Sequence, residues 1–449
     1  LYSGDREHRL NQEVVLGVGG VRVLQALGIH PTVYHLNEGH SAFLLLELLH
    51  DALAHGDSFE QALAHVRERA RFTTHTPVPA GIDRFDDGLV HRYLGPWARR
   101  HGIPESTLLE LGRLPSDAPH EFNLAAFCLR MTGGANGVSK LHGGVSRGLF
   151  AGVAGGERIS SVTNGVHARS WVRPALQGVF ERSLGQAWAA GDLGAWGRIE
   201  SVPTEVLRAE RTAARSELVT FARRQTAGAS GLDPAALTIG FARRFAPYKR
   251  ATLFLRDRAR IERLLADSRR PVQFVVAGKA HPDDDAGKAL LREMLEFTSS
   301  AASGGRVVFI PDYDMALARV MVAGCDVWLN TPLRPYEACG TSGMKAALNG
   351  SLNLSTLDGW WDEAFDGQNG WAIPSAEGDD LERRNDAEAA SLLDIIEHEV
   401  VPLFYSGGRG GASDGWVARM RHAWRTLGPL VTASRMVREY ALTYYGVPE

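Results

Sequence analysis

The chain has little of what marks several large classes of protein. It has three cysteines, Cys128, Cys325 and Cys339, in 449 residues, and so small and odd a number argues against a disulfide framework and favours a reducing cytoplasm. Its formal net charge is only −3, which gives no reason to expect nucleic acid or an anionic membrane as a partner. The longest apolar run, residues 42–49, is broken by Glu47 and is far too short to span a bilayer.

The composition that remains is that of a globular protein with more than one core. Hydrophobic residues make up 44% and charged residues 22% of the sequence, as in ordinary globular domains. A chain of 449 residues is too long for one typical core, so we expect two domains or parts of domains.

Short β-branched segments alternate with longer helical patterns, which is typical of parallel sheets with crossover helices. In the regular second part, strands are predicted at residues 237–242, 272–277, 306–310, 326–330 and 352–355. Helices are predicted there at residues 251–265, 287–297 and 315–323. In the less regular first part, strands are predicted at residues 33–36, 71–74 and 159–163. The pattern therefore predicts two open sheets.

A glycine-rich turn at residues 337–345 (EACGTSGMK) is predicted to lead into a helix. Backbone N–H groups at such a turn, together with the positive end of the helix dipole, suit an anion such as phosphate. Lys345 would have its pKa lowered there by the positive field and by partial burial, which makes it a candidate Schiff-base lysine. Pyridoxal phosphate (PLP) carries both an aldehyde and a phosphate. An exposed helix start with a solvated Lys345 is the alternative.

Four cations, Arg243, Arg244, Lys249 and Arg250, fall within eight residues at the end of a predicted strand. Buried without anions they would repel one another, so they lie either in water or around phosphate. Because a phosphate-holding turn is predicted in the same sheet, we interpret the cluster as an anion clamp.

Five histidines could suggest a metal site, but their spacing matches no common pattern of metal ligands. They are His35, His40, His75, His142 and His167. No metal site is therefore expected.

Several further motifs lie at the ends of predicted strands. Along the chain they are 37–40 (NEGH), 72–81 (FTTHTPVPAG), 136–139 (NGVS), 162–167 (VTNGVH), 240–250 (GFARRFAPYKR), 278–282 (GKAHP) and 357–361 (LDGWW). With these motifs and the turn at 337–345, nearly the whole chain resembles the glycogen and α-glucan (maltodextrin) phosphorylases, most nearly the bacterial short-type α-glucan phosphorylases. The resemblance implies an α/β fold of the GT-B glycosyltransferase type, with two doubly wound Rossmann-like domains, a cleft between them and an incomplete first domain.

The domain bounds expected on this basis are 1–205 for the rest of a glucan-binding domain and 206–405 for a PLP-binding domain. Pro203 interrupts two helical patterns near residues 199–207, which places the boundary there. Residues 406–449 would form an exposed loop at 406–415 and a terminal helical segment at 416–445, packing back across the domains.

The activity implied by the resemblance is PLP-dependent phosphorolysis of a terminal α-1,4-linked glucose of glycogen or maltodextrin. The products would be α-glucose 1-phosphate, formed with retention, and a shortened glucan, in a cytoplasmic enzyme that could be a homo-oligomer. The PLP phosphate would act as the acid through inorganic phosphate, in line with Glu337 being the only carboxylate in its turn, whereas glycoside hydrolysis needs a pair.

The resemblance also assigns roles residue by residue. Lys345 would hold PLP, together with Arg243, Gly340, Thr341 and Tyr313. Catalysis would further use Arg244 and Lys249, which hold the substrate phosphate. Glucose would be bound by Glu337, the backbone N–H of Gly340, Asn164, His75 and Asn136. For Tyr313 and Asn136, a structural role is the alternative.

The sequence departs from the family pattern in two places. Cys339 stands where the family usually has serine, and a thiol is the poorer hydrogen-bond donor. The chain starts at Leu1, inside what resembles the middle of the family's first domain, and the family's upstream glycine loop has no counterpart. We therefore expect an N-terminally truncated phosphorylase. The alternatives are a nucleotide-sugar glycosyltransferase like glycogen synthase, which also uses a basic pair, and an inactive phosphorylase fragment.

Overall fold

The computed structural model describes residues 5–226, 231–408 and 411–448. They form two compact units, Leu1–Thr163 with Glu439–Glu449, and Asn164–Arg438. Leu1 itself lies outside the described residues. Each unit is an α/β assembly around parallel strands.

The unit bounds differ from those expected from the sequence. Residues 164–205, assigned above to the first domain, belong to the second unit. The physical reason is packing with a distant segment: Val166 pairs with Thr432, and the Phe180 ring lies 5.2 Å from Trp196 and 5.4 Å from Trp424. The terminal segment is divided between the units at residues 438 and 439.

The first unit contains six strands: β1 (Tyr34–Asn37), β2 (Ala70–Thr73), β3 (Arg84–Asp86), β4 (Glu121–Asn123), β5 (Gly134–Gly137) and β6 (Ser160–Ser161). Four of them form a parallel sheet in the order β1-β2-β5-β6, and β3 and β4 form a separate antiparallel pair. The three strands predicted in this part are present. β5 was missed because its sequence, GANG, has no β-branched or aromatic residue.

The helices of the first unit are α1 (Arg6–Val14), α2 (Gly20–Ala26), α3 (Leu44–Ala54), α4 (Phe59–Arg69), α5 (Asp87–Arg100), α6 (Glu105–Leu111), α7 (Leu124–Met131) and α8 (Lys140–Leu149). The apolar run noted above lies mostly in α3, which is buried from Leu44 to Leu49. Glu47 is tolerated there because Arg22 donates to its carboxylate at 2.7 Å.

The second unit is built on six strands: β7 (Leu237–Ala242), β8 (Val272–Ala277), β9 (Val307–Ile310), β10 (Val327–Asn330), β11 (Leu352–Thr356) and β12 (Gly370–Ile373). They form one parallel sheet in the order β12-β11-β10-β7-β8-β9. The strand order therefore reverses between β7 and β10. Residues 237–242 and 272–277 are fully buried in β7 and β8, as continuous apolar runs in parallel sheets require.

The remaining helices are α9 (Ala168–Trp171), α10 (Pro174–Leu184), α11 (Leu193–Gly197), α12 (Thr204–Gln225), α13 (Arg258–Ala266), α14 (Asp285–Ser299), α15 (Met315–Gly324), α16 (Thr341–Leu348), α17 (Trp361–Ala364), α18 (Leu381–Ile395), α19 (Val401–Tyr405), α20 (Asp414–Leu427) and α21 (Ala433–Tyr444). Acidic or hydroxyl side chains cap the first turn of several of them, such as Asp284 on α14, Asp314 on α15 and Ser413 on α20.

Three predicted elements differ in detail. The helix predicted from residue 251 begins only at Arg258, because Leu253–Leu255 form a separate 3-10 turn and the Asp257 side chain caps the helix by accepting the Arg260 N–H. The glycine-rich segment 406–415 is not exposed throughout, since Ala412 and Ser413 are buried against the body of the unit, and residues 409–410 lie outside the described residues. The predicted terminal helical segment is two helices, α20 and α21.

The described helices include none that is both long and apolar enough to cross a membrane. All three cysteines are buried as free thiols.

Candidate functional site

The basic segment and the glycine-rich turn meet where the strand order of the second unit reverses. Arg243 directly follows β7, and Glu337 lies in the loop that follows β10. Because β7 and β10 are adjacent and parallel, their carboxyl ends open on the same edge of the sheet. In open parallel sheets, the point where the strand order reverses is where ligands bind.

Glu337 bridges two of the predicted phosphate-binding cations. Arg243 Nη2 donates to Glu337 Oε2 at 2.6 Å, and the Lys249 ammonium binds the same oxygen. Burial raises the pKa of Glu337, but the opposing charges of Arg243 and Lys249 outweigh it, so this pKa lies below its usual value. Burial, together with the Arg243 charge, lowers the pKa of Lys249 to about 8. The site thus holds a carboxylate and two cations out of water.

Arg243 keeps an unused donor. Its side chain is only 7% exposed, yet its Nη1 group is buried with no hydrogen-bond partner among the described residues. A buried guanidinium N–H without an acceptor is costly, and an anion at this point would satisfy it.

The other two cations of the predicted clamp are placed differently. Arg244 is exposed. Arg250 is buried and donates to the Glu388 carboxylate and to the carbonyl oxygens of Thr331 and Pro332. Arg250 therefore holds the loop after β10 in place, and its charge is already neutralised by a protein carboxylate.

The glycine-rich turn leads into α16, as predicted. Gly340 precedes the helix with φ of 88°, a left-handed conformation that favours glycine. Thr341 is the first residue of α16, and no side chain caps this end of the helix. The positive end of the helix dipole is therefore left to any anion that approaches it.

Lys345 lies on α16, and its environment agrees with part of the prediction. Its ammonium Nζ sits 3.7 Å from the centroid of the Trp171 ring, and burial lowers its pKa. The alternative of a fully solvated lysine does not fit this geometry. Trp171, at the end of α9, was not singled out from the sequence, because nothing in the residue pattern brings it beside Lys345.

Tyr313 and Asn164 also lie near these groups. Burial raises the pKa of Tyr313, against the opposing effect of the Arg243 charge, which places that phenol within electrostatic reach of the guanidinium. The backbone of Asn164 hydrogen-bonds to the Cys339 thiol, and its carbonyl oxygen accepts from Arg435 at 3.1 Å. Asn164 thus lies against the glycine-rich turn.

Asp358, which the sequence analysis did not assign, fixes the backbone of this turn. Its Oδ2 accepts the N–H of Glu337 at 2.9 Å, and its Oδ1 accepts the N–H of Gly359 at 2.8 Å. Burial raises the pKa of Asp358 to about 7. A second carboxyl group therefore lies beside Glu337, but it is engaged with backbone groups. Its position two residues after a strand could have marked it.

In the first unit, His75 is held by Glu38. The Glu38 carboxylate accepts the backbone N–H of His75 at 2.6 Å and the Thr76 hydroxyl at 3.0 Å. Glu38 has φ of 66°, a strained backbone of the kind found at functional sites. Burial, helped by nearby histidines, lowers the pKa of His75 to about 4. The neutral ring carries a buried Nε2 with no partner among the described residues, which leaves it able to hydrogen-bond a ligand.

Asn136 does not fit its predicted role in sugar binding. Its amide donates to Tyr440 Oη and to the Gly137 carbonyl oxygen, each at 2.9 Å, and its Oδ1 accepts from the Thr73 hydroxyl at 2.8 Å. The side chain is buried and both amide hydrogens are used. The geometry therefore supports the structural alternative for Asn136, which ties β2 and β5 to α21.

One group of side chains in the described part of the chain is close enough to share a metal ion: Glu13, His40 and Asp83. The Arg9 guanidinium lies among them. Its Nε is 3.0 Å from a Glu13 carboxylate oxygen, and its Nη2 is 3.0 Å from an Asp83 carboxylate oxygen and 2.6 Å from His40 Nδ1. Because its guanidinium already supplies the cation, we interpret the group as an ion-pair cluster.

Comparisons with known proteins show which family this chain belongs to. A family model described as carbohydrate phosphorylase matches residues 29–363. The glycogen phosphorylase of Mycobacterium bovis is 46% identical, over 99% of this chain and 55% of the relative. The maltodextrin phosphorylase of Thermococcus litoralis is 39% identical, over 99% of this chain and 54% of the relative. This chain spans about half the length of these two curated relatives. Since the family model covers most of the chain, the protein belongs to the carbohydrate phosphorylase family.

Proposed function

We propose that this chain acts in PLP-dependent phosphorolysis of terminal α-1,4-linked glucose from glycogen or maltodextrin, giving α-glucose 1-phosphate with retention. The family membership and the names of the relatives support the reaction class. The observation that carries the proposal is that Arg243 and Lys249 meet at one buried carboxylate, where Arg243 keeps a donor without a partner. The helix α16, which follows in the same unit, carries Lys345 with a lowered pKa.

The proposed architecture is GT-B, with two doubly wound domains. Numbered along the chain, the strands of the second sheet follow the order 3-2-1-4-5-6, read from β9 to β12, which is the order of dinucleotide-binding doubly wound sheets. The first unit contributes a shorter parallel sheet of four strands. Its candidate ligand group, His75, follows β2 by two residues, again near the carboxyl edge.

The residues present fit a bound PLP. Lys345 would bond its aldehyde carbon, with a pKa lowered by burial that favours the neutral amine. The phosphate would find the start of α16 at Gly340 and Thr341, and the orphaned Nη1 of Arg243, with Tyr313 nearby. When bound, PLP supplies a phosphate group that can pass a proton to inorganic phosphate.

The remaining roles belong to side chains of the chain itself. Lys249 holds the substrate phosphate by charge, and the exposed Arg244 adds a second cation at the rim of the site. Glu337 accepts hydrogen bonds from glucose hydroxyls beside the backbone N–H of Gly340. Asn164 holds the sugar through its other hydroxyl groups. In the first unit, the unpartnered Nε2 of His75 is a candidate glucan-binding group. Closing these groups away from water strengthens each electrostatic contact in the transition state.

The test is covalent attachment at Lys345. The chain is loaded with PLP, reduced with borohydride and mapped by mass spectrometry, with release of glucose 1-phosphate from maltodextrin measured in parallel. We expect the label on Lys345. In Lys345→Ala, both the label and the PLP absorbance should be lost. Lys288→Ala is the control, because Lys288 is an exposed lysine paired with Asp285 on α14. Retention of the label by Lys345→Ala would contradict the proposal, and absence of any label in the unmodified chain would favour a nucleotide-sugar transferase.

A further inference from the structure

The side chain of Asn349, at the end of α16, links the helix that carries Lys345 to the segment that carries Trp171. Asn349 is only 2% exposed and follows the last residue of the helix. Resting on the function proposed above, we propose that Asn349 is a positioning residue. It holds the Trp171 ring against the Lys345 side chain, and the ring keeps that amine in a state that attaches PLP.

The link is a bridge of three hydrogen bonds. Asn349 Nδ2 donates to the carbonyl oxygens of Trp171 and Lys345, each at 2.8 Å. Asn349 Oδ1 accepts the backbone N–H of Arg173 at 2.9 Å. Both amide hydrogens are therefore used, and the oxygen has a donor. A buried bridge of this kind fixes the distance between the two backbone segments, because breaking it leaves polar groups without partners away from water.

The helix that ends at Trp171 depends on such contacts for its position. It is α9, which has only four residues, and so short a helix is not stable by itself in water. Arg319 of α15 donates to the Ser170 carbonyl oxygen at 3.1 Å, and Asn349 supplies the hydrogen bonds to α16. Without Asn349, the end of α9 loses its bridge to the helix that carries Lys345.

The Trp171 ring determines how far the Lys345 amine is shielded from water. Lys345 Nζ lies 3.7 Å from the ring centroid, and Arg319 Cζ approaches the same ring at 5.6 Å. Attraction of an ammonium to the indole face would raise the pKa of Lys345, whereas burial lowers it. Burial outweighs this attraction, because the pKa of Lys345 lies below its usual value. If the ring moved away, water would reach Nζ and the pKa would rise.

Attachment of PLP at Lys345 uses the neutral amine. Its nitrogen bonds the aldehyde carbon, and the aldehyde oxygen leaves as water with both amine protons. Because a lower pKa leaves more of the amine neutral at a given pH, a Trp171 ring held against Nζ favours this step. Asn349 acts on the amine through the ring, since its own hydrogen bonds go to backbone groups.

Asn369 provides a matched control in the same unit. It is also buried, and its Nδ2 donates to the Ala364 carbonyl oxygen at 2.8 Å and to the Thr426 hydroxyl at 3.3 Å. Its Oδ1 accepts the backbone N–H of Asp366 at 3.3 Å. These three bonds join the end of α17 to α20. Loss of the Asn369 amide should therefore destabilise the unit without changing the pKa of Lys345.

The experiment is competitive acetylation of the full chain with acetic anhydride over a pH series, before PLP is added. Mass spectrometry measures acetylation of Lys345, with the exposed Lys288 as internal reference. The midpoint of the pH profile is the measured quantity, because a change in accessibility alone alters the rate and not the midpoint. We expect Asn349→Ala to raise the Lys345 midpoint by about one pH unit, and Asn369→Ala to leave it unchanged. PLP attachment near neutral pH should slow by about tenfold in Asn349→Ala, as the neutral fraction falls.

Asn349→Ser separates the bridge from the helix end. A serine can still hydrogen-bond the Lys345 carbonyl oxygen four residues earlier, but it is too short to reach Trp171. It should therefore raise the midpoint as Asn349→Ala does, and it covers the case in which Asn349→Ala fails to fold. Trp171→Leu should raise the midpoint too, and Asn349→Ser added to Trp171→Leu should raise it no further.

The outcomes separate this inference from the proposed function. An unchanged Lys345 midpoint in a folded Asn349 variant would overturn the positioning role. So would effects of Asn349→Ser and Trp171→Leu that simply add, or an equal rise in Asn369→Ala. Borohydride mapping tests the function independently: if the midpoints shift as expected but the unmodified chain takes no PLP label on Lys345, the proposed function is wrong and the link from Asn349 to the Lys345 amine stands.

Discussion

At the scale of single residues, burial makes Lys249 lose its charge at a pH much closer to neutral than an exposed lysine does. Its pKa is lowered to about 8 by burial and by the charge of Arg243. The ammonium is therefore fully charged well below that pH and neutral above it. Because the folded value lies below the unfolded value of about 10.4, the contribution of Lys249 to stability rises with pH between the two. The affinity for an anion falls over the same range.

Sulfate binding should show this dependence, since sulfate itself does not titrate near neutral pH. We expect its affinity to fall as the pH rises through about 8. Lys249→Arg should flatten the profile, because a guanidinium stays protonated throughout. Calorimetry on both proteins in one buffer series measures the effect. Identical profiles for the two proteins would assign the titration to another group.

Part of the candidate site could be predicted from the sequence. Lys345, Arg243 and Lys249 were predicted from a glycine-rich turn, a basic segment at a strand end and the resemblance of both to one family. Trp171 was missed, since it acts through a contact with Lys345, which is far away in the sequence. Asp358 was missed although it follows a strand by two residues, because its role is to accept the backbone N–H of another loop. For Asn136, the sequence left a sugar-binding and a structural role open, because its partner Tyr440 lies 304 positions later.

At the scale of elements, α16 lies against the sheet through a glycine. A Cβ at Gly343 would lie 2.4 Å from Asn353 Oδ1 and 3.2 Å from the Trp360 ring. Asn353 cannot easily move away, because it donates to the Gly343 carbonyl oxygen at 3.1 Å. This close approach keeps the helix that carries Lys345 in contact with β11.

Gly343→Ala should therefore destabilise the protein, by about 1–3 kcal/mol for overpacking. Gly197→Ala is the control: Gly197 ends α11 in the same unit, and a Cβ there meets nothing within 4 Å, so alanine should be neutral or slightly stabilising. Urea unfolding followed by circular dichroism compares the two. Equal stability of both variants would show that α16 can shift without cost.

The strands of the second sheet were the most predictable elements. A continuous β-branched run bounded by turns is buried on both faces in a parallel sheet, and β7 and β8 match their predicted bounds. Strand β12 (GWAI) was missed because it is short and begins with glycine. The start of α13 was misplaced because the predicted helix ran through the 3-10 turn at Leu253–Leu255 and past the cap at Asp257.

At the scale of the whole molecule, the two units each have their own core, and a buried ion cluster ties one of them together. In the second unit, Asp326 accepts from Arg215 at 2.7 Å and from the Thr238 N–H of β7 at 3.0 Å. Arg211 lies 3.5 Å away on the same face of α12. The cluster joins the longest helix of the unit to the centre of its sheet.

Asp326→Ala should cost about 3–5 kcal/mol, because it leaves two buried guanidinium groups without their carboxylate. Thermal unfolding by circular dichroism measures the loss. Asp285→Ala, which removes an exposed partner of Lys288, should leave the melting temperature unchanged. If Asp326→Ala lowered the melting temperature no more than Asp285→Ala does, the two arginines would have found other acceptors.

The domain boundary shows what a local pattern cannot reveal. Pro203 predicted a break near residue 205, and α12 does begin just after it. The compact units nevertheless divide at Thr163, because residues 164–201 pack against a segment more than 200 positions later. Proline marks the end of a helix, whereas a domain boundary depends on contacts that only the folded chain reveals.

The division into units also distributes the chromophores unevenly. Of the ten tryptophans in the sequence, Trp97 lies in the first unit and the other nine lie in the second. Intrinsic fluorescence therefore reports almost entirely on the second unit, the one that carries Lys345. Unfolding followed by tryptophan emission reports on the second unit, whereas far-ultraviolet circular dichroism reports on the backbone of both units. Comparing the two unfolding curves therefore separates the unfolding of the two units without any added label.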